Sequence, residues 1–223
     1  FTYSYRALND YEKWCYDRMY NDFFYHRHNG FWYGKAMQKL PALVDSTSML
    51  ACGEDLGMIP DCVPAVMNNL QILSLEIQRM PKDPKVEFGQ VYNYPFLSVC
   101  TIGTHDMSTF RGWWEEDRKL SERFYYNELG HWGNFPEKAP GWLCEETVRQ
   151  HLNSPSMLCI LTWQDWLGMD EKLRNPDVDQ ERINVPANPR HYWRWRMHLT
   201  LEDLMKQKAF NEKIRVMIDG SGR

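Results

Sequence analysis

The sequence predicts an α/β fold: half of a (β/α)8 barrel, carrying four strands on a parallel sheet with an extra helical segment before it. Three observations carry this reading. Four short apolar runs occur at 49–52, 73–77, 97–102 and 157–162. Helical or loop-rich stretches separate them, and such strand–helix alternation argues for a parallel sheet. Polar, acid-bearing residues follow at least three of the runs: Gly53-Glu54-Asp55, Gly103-Thr104-His105-Asp106 and Trp163-Gln164-Asp165. In a β/α barrel the face at the strand C-termini carries the chemistry. A whole barrel needs eight strands and about 250 residues, and this chain has 223 residues. An open four-stranded α/β sheet is the alternative.

The elements follow in order. Residues 5–40 read as helical, with Tyr11, Trp14, Cys15, Arg18 and Met19 at helical spacing and Pro41 as an end or a new start. A helix around 33–45 follows, stopped by Asp45-Ser46-Thr47. Met49-Leu50-Ala51-Cys52 reads as a buried strand delivering Glu54 and Asp55 into a loop. Residues 60–69 form a helix, and Leu73-Ser74-Leu75-Glu76-Ile77 a second strand. Residues 81–95 are rich in Pro, Asp, Gly and Asn, hence a loop. The third strand, 97–102, ends in His105 and Asp106. Helix is expected over 108–128 and 145–152, then a fourth strand, a long polar loop over 170–192 and a final helix over 199–216. We expect one catalytic domain across 1–223, with 1–45 as the helical segment and 46–223 as barrel strands and helices.

Composition excludes several functions. The net charge of −4 provides no electrostatic footprint for nucleic acid or an anionic membrane. No apolar run approaches the roughly 20 residues that span a bilayer. The six cysteines form no C-x-x-C pair and read as reduced, buried thiols of a cytoplasmic protein. His26 and His28 are two apart and face different ways on a helix, and no H-E-x-x-H occurs, so no metal is expected. No cofactor is expected either. Ten tryptophans are the unusual feature, and several lie in polar company, as in Trp113-Trp114-Glu115-Glu116 and Trp193-Arg194-Trp195. Flat rings beside hydrogen-bonding groups suit sugar faces, although they also suit ordinary packing.

Glycoside chemistry needs two carboxyl groups flanking the scissile bond, about 5–5.5 Å apart in retaining enzymes. Adjacent strands lie about 4.8 Å apart, so acids at the ends of neighbouring strands can face one substrate. Glu54 and Asp106 are the candidates. Taken singly each has a plainer reading. Asp55 or Asp61 suits a helix N-cap, Asp106 suits capping of the helix after it, and His105 suits a satisfied core position.

Taken together the motifs are more specific. Cys52-Gly53-Glu54-Asp55-Leu56-Gly57-Met58-Ile59-Pro60 resembles the glutamate-bearing strand end of the amylomaltase, or disproportionating-enzyme, family of 4-α-glucanotransferases (glycoside hydrolase family 77). Asn93-Tyr94 with Gly103-Thr104-His105-Asp106 resembles that family's next active-site strand. Gln164-Asp165-Trp166-Leu167-Gly168, Arg182-Ile183-Asn184-Val185-Pro186 and Trp193-Arg194-Trp195-Arg196 resemble its closing segment. The resemblance runs from about 48 to 205. Met107-Ser108 and Trp113-Trp114-Glu115-Glu116-Asp117 look closest to the maltose-using branch known from plant cytosol and some bacteria.

The resemblance implies a retaining transglycosylase acting on maltose or α-1,4-glucan, with Glu54 as acid/base and Asp106 stabilising the transition state. It implies substrate-binding roles for His105, Asp55, Asn93, Trp113, Trp114 and Asn184. The family's nucleophilic aspartate sits in an Arg-x-Asp-His context before the glutamate strand. Asp10, Asp17, Asp22 and Asp45 lack that context. The four strands then stand as the fifth to eighth of the barrel, and the chain alone is expected to be inactive. Its partners are the missing N-terminal half of the enzyme, or a second copy meeting it through exposed barrel edges. The competing function is a non-catalytic carbohydrate-binding α/β domain.

Overall fold

A computed structural model describes all residues, Phe1–Arg223. The chain divides into two compact units, Phe1–Leu75 and Glu76–Arg223.

The first unit is mostly helical. Helix α1 spans Tyr3–Ala7, α2 Asp10–Asn21 and α3 His28–Asp45, with a π-helical turn, Asp22–Arg27, joining α2 to α3. A capping box starts α2: Asn9 accepts from the Glu12 N–H, and the Glu12 carboxylate accepts from the Asn9 N–H at 2.8 Å. The expected break at Pro41 does not occur, because α3 runs through it. Proline removes one donor and crowds the carbonyl four residues back, and so close to a helix end that loss is small. Helix α4 spans Val63–Asn69, with Pro64 in its first turn. The strand expected at 49–52 reduces to a single parallel bridge, Cys52 to Leu73. Two hydrogen bonds hold it: Gly53 N–H to the Leu73 carbonyl at 2.8 Å and Leu73 N–H to the Ala51 carbonyl at 2.9 Å. An apolar cavity of about 550 Å³ lies in this unit, lined by Phe24, Trp32, Leu40, Met58, Val63 and Met67 among others. Many rings of the helical segment are exposed, including Tyr11, Trp14, Phe23 and Trp32.

The second unit holds the sheet. Strands β1 (Ser74–Ile77, starting just before the division), β2 (Ser98–Thr101) and β3 (Leu158–Cys159) lie in the order β1-β2-β3. Strands β2 and β3 run parallel, with Val99 opposite Leu158 and Cys100 opposite Cys159. Every residue of β2 is buried, as suits a central strand. The architecture is thus α/β with a parallel sheet. The fourth expected strand, 157–162, keeps only two paired residues. Its end turns into a helix that the sequence reading missed, α8, Trp163–Gly168.

Helices α5 (Phe110–Glu116), α6 (Arg118–Arg123) and a π-helical turn at Phe124–Glu128 occupy the expected 108–128 helix. Helix α7, Gly141–Leu152, starts four residues earlier than expected. A Cβ on Gly141 would meet the Met169 carbonyl oxygen at 2.7 Å, so only glycine permits that approach. The final helix divides in two, α9 (Leu201–Lys206) and α10 (Lys208–Gly220), at the non-helical Gln207. The core gathers Trp114, Phe124, Leu143 and Val148, each almost wholly buried, with Phe110, Leu204, Phe210 and Met217 around them. All six cysteines are free thiols, but only Cys100 and Cys144 are buried, and Cys52 is exposed. No helix is long and apolar enough to cross a membrane.

Candidate active site

Strand β2 ends at Thr101, and the chain turns over Gly103–Met107. The Met107 N–H donates to the Thr104 carbonyl at 3.2 Å, and the Asp106 N–H to Thr104 Oγ1 at 3.3 Å. This tight turn lifts His105 and Asp106 to the surface, each about half exposed at its side chain (53% and 51%). Two plainer readings therefore fall. His105 is not a core histidine. Asp106 does not cap α5, because Thr109 does, accepting from the Gly112 N–H at 3.2 Å.

Asp106 is held in place instead. Buried Asn184 donates from Nδ2 to Asp106 Oδ1 at 2.6 Å, and its own N–H donates to the His105 carbonyl at 3.1 Å. His105 Nε2 lies 3.4 Å from Asp106 Oδ1. The His105 ring packs against Trp193, with centroids 5.1 Å apart. Trp193 is 62% exposed, so it offers a flat apolar face beside two hydrogen-bonding groups. The loop that brings Asn184 and Trp193 here is pinned by His191 Nε2 against the Ile183 carbonyl (2.9 Å) and by Trp195 Nε1 donating to the Gln180 carbonyl (3.0 Å).

A polar layer lies around this turn. Ser108 donates to Glu116 (2.7 Å), and Arg182 donates to the same carboxylate (2.9 Å). Arg111 and Glu181 form a buried ion pair, to which Thr109 adds a hydrogen bond at 3.2 Å. Burial pushes the Glu181 carboxyl up, opposed by the Arg111 charge. Asp165 is buried on α8 and accepts from Thr162 Oγ1 (2.8 Å) and the Thr162 N–H (3.0 Å). Burial raises Asp165 as well, opposed first by those two hydrogen bonds. Asp165 is therefore a structural acid, not an exposed one.

In the first unit, Glu54 lies two residues after the bridge at Cys52. It is exposed, and its Oε1 accepts from the Leu56 N–H at 2.9 Å, which folds the carboxylate back onto its own loop. Asp55 points the other way. It is 3% exposed and accepts the Leu75 N–H at 2.9 Å, so it ties the glutamate loop to the start of the next strand. A buried, bonded Asp55 fits a scaffold role better than direct sugar binding.

The remaining expectations divide. Asn93 is exposed and ends the short 3₁₀ turn Val91–Asn93. Trp113 and Trp114 are 8% and 0% exposed. Their rings lie in the core, Trp114 Nε1 donating to the Pro136 carbonyl at 3.0 Å, so neither offers a sugar platform. They look like site residues in the sequence because Glu115, Glu116 and Asp117 follow them directly. Sequence reasoning missed the Arg111–Glu181 pair and Arg79, and set Trp193 apart from His105. Arg79 did carry a signal: a charge two residues after an apolar strand, much as for the acids.

A model of the family described as 4-alpha-glucanotransferase (Glyco_hydro_77) matches residues 6–201. The chain belongs to this family. The 4-alpha-glucanotransferase DPE2 of Oryza sativa subsp. japonica is 40% identical over 222 residues, all of this chain and 24% of its own length. The 4-alpha-glucanotransferase of Chlamydia pneumoniae is 30% identical over 188 residues, 81% of this chain and 34% of its own. The chain thus spans between a quarter and a third of the length of these curated relatives. Among solved structures, an amylomaltase from Streptococcus agalactiae in complex with acarbose aligns with a TM-score of 0.55, covering 75% of this chain and 31% of that one. At 22% identity this likeness shows a shared fold over that part of the chain.

Proposed function

We propose that this chain supplies the acid/base glutamate and the transition-state-stabilising aspartate of a retaining 4-α-glucanotransferase. The enzyme moves glucosyl or maltooligosyl units between α-1,4-glucans, maltose among them. The observation that carries the reading is the surface cluster of Asp106, His105 and Trp193, positioned by Asn184 at the end of a buried parallel strand. Family membership supports it. Glu54 protonates the departing glycosidic oxygen, then removes the proton from the acceptor hydroxyl in the second step. Asp106 and His105 bind sugar hydroxyls, and the Asp106 carboxylate offsets the positive charge that develops on the ring. Trp193 stacks on a sugar face, which favours an acceptor sugar over water.

The nucleophile is supplied by sequence outside this chain, since none of the acids before Glu54 stands in the Arg-x-Asp-His context. On this reading the strands of this chain are the fifth to eighth of the enzyme's barrel. The remainder of that barrel, or a second copy, covers the apolar rings exposed here. The protein works in the cytoplasm.

The test is the product pattern from maltose with the complete enzyme. Transfer yields glucose and maltotriose in equal amounts, with the α configuration retained. Glucose alone would mean hydrolysis and would overturn the proposal.

A further inference from the structure

Arg79 follows β1 by two residues and is half-buried. It donates from Nε and Nη2 to the Ile102 carbonyl (3.3 and 3.2 Å) and from Nη2 to the Ser108 carbonyl (3.0 Å). Those carbonyls bracket the turn, Gly103 to Met107, that carries His105 and Asp106. The planar guanidinium has several donors fixed in one fork, so it can hold both ends of a loop at a set separation. Its cation lies over the Trp113 ring, 5.2 Å from the centroid, which fixes the fork from behind. The turn is also fitted to it: a Cβ on Gly103 would stand 2.6 Å from Arg79 Nη2. Loss of solvent lowers Arg79 to about 10, opposed by the charges of Asp165 and Glu116, so it is a cation at neutral pH.

We propose that Arg79 is a positioning residue for the reaction: it sets the height and orientation of the His105–Asp106 turn through its two bracketing carbonyls. This rests on the reading of the site given under Proposed function. Arg79 contacts the main chain and acts on substrate only through the turn. A lysine, with one compact donor head, cannot bracket the turn in the same way. Its effect should therefore fall on the rate of the chemical step more than on substrate affinity, because a misplaced group of this kind costs up to about a hundredfold in rate.

The experiment measures maltose turnover by the complete enzyme for the wild type, Arg79→Met, Arg79→Lys and Gly103→Ala, with a thermal melt of each. Arg79→Met is expected to lower kcat by about tenfold to a hundredfold with KM changed by less than about threefold. Arg79→Lys recovers part of the loss. Gly103→Ala, which pushes on the guanidinium from the turn side, gives the same pattern without removing a charge, and it decides the matter if Arg79→Met does not fold. A folded Arg79→Met enzyme with wild-type kcat would overturn the proposal. So would a loss confined to KM, which would mean direct sugar contact, or a loss that only follows the folded fraction. Absence of turnover in the wild type would overturn the functional reading itself, and this assignment with it.

Discussion

Asp106 owes its suitability to what its neighbours do. Thr109 takes over the capping of α5, and Asn184 holds one carboxylate oxygen of a side chain that stays half exposed. Buried polar side chains elsewhere in the unit serve stability. His151 is fully buried on α7, with Nδ1 against the Thr147 carbonyl at 2.8 Å and Nε2 without a partner. Burial lowers its pKa to about 4. The native histidine thus stays neutral where the unfolded one, near 6.5, takes up a proton. Its contribution is complete above pH 6.5 and is lost as pH falls toward 4, by about 3 kcal/mol in all. Urea titrations between pH 7 and 4 should show this slope, and His151→Gln should flatten it by that amount. Equal slopes for both proteins would contradict the burial argument. At this scale the sequence revealed residue types well: Glu54, His105 and Asp106 stand exposed at element ends, as their motifs imply. It did not reveal direction. Asp55 adjoins Glu54 yet is buried, and Trp113 and Trp114 share polar neighbours yet face the core, because helix phase and strand pleat set orientation and the surrounding chain sets phase.

Among the elements, α8 shows how a short local signal is overridden by an apolar run. Residues 157–161 are apolar throughout, so 157–162 read as one strand, but only Leu158 and Cys159 pair with β2. The chain then turns at Thr162, which forms a capping box with Asp165. The T-x-x-D spacing was present in the sequence. It was masked because pairing depends on how far the neighbouring strand extends, which no local window reports. The same reason shortens 49–52 to one bridge. Thr162→Ala removes both the cap and a hydrogen bond to the buried Asp165. It should cost about 2 kcal/mol, at the upper end of the range for helix caps. Chemical denaturation of the purified chain measures it, and a change below about 0.5 kcal/mol would mean that the box contributes little.

Across the whole molecule, the family and the parallel α/β architecture were both readable from three spaced motifs. What joins those motifs in space is long-range: Asn184 reaches back to Asp106 across a loop whose sequence is mostly polar and punctuated by prolines. The central claim is that Glu54 performs proton transfer within a 4-α-glucanotransferase. Glu54→Gln keeps the size and the hydrogen bond acceptor while removing the acid. The decisive measurement is maltose turnover by the complete enzyme with this single change, beside binding of maltose to the same variant. The account predicts that turnover falls by at least about a hundredfold, the lower range for general acid/base catalysis, while maltose still binds. Turnover at the wild-type rate would contradict it.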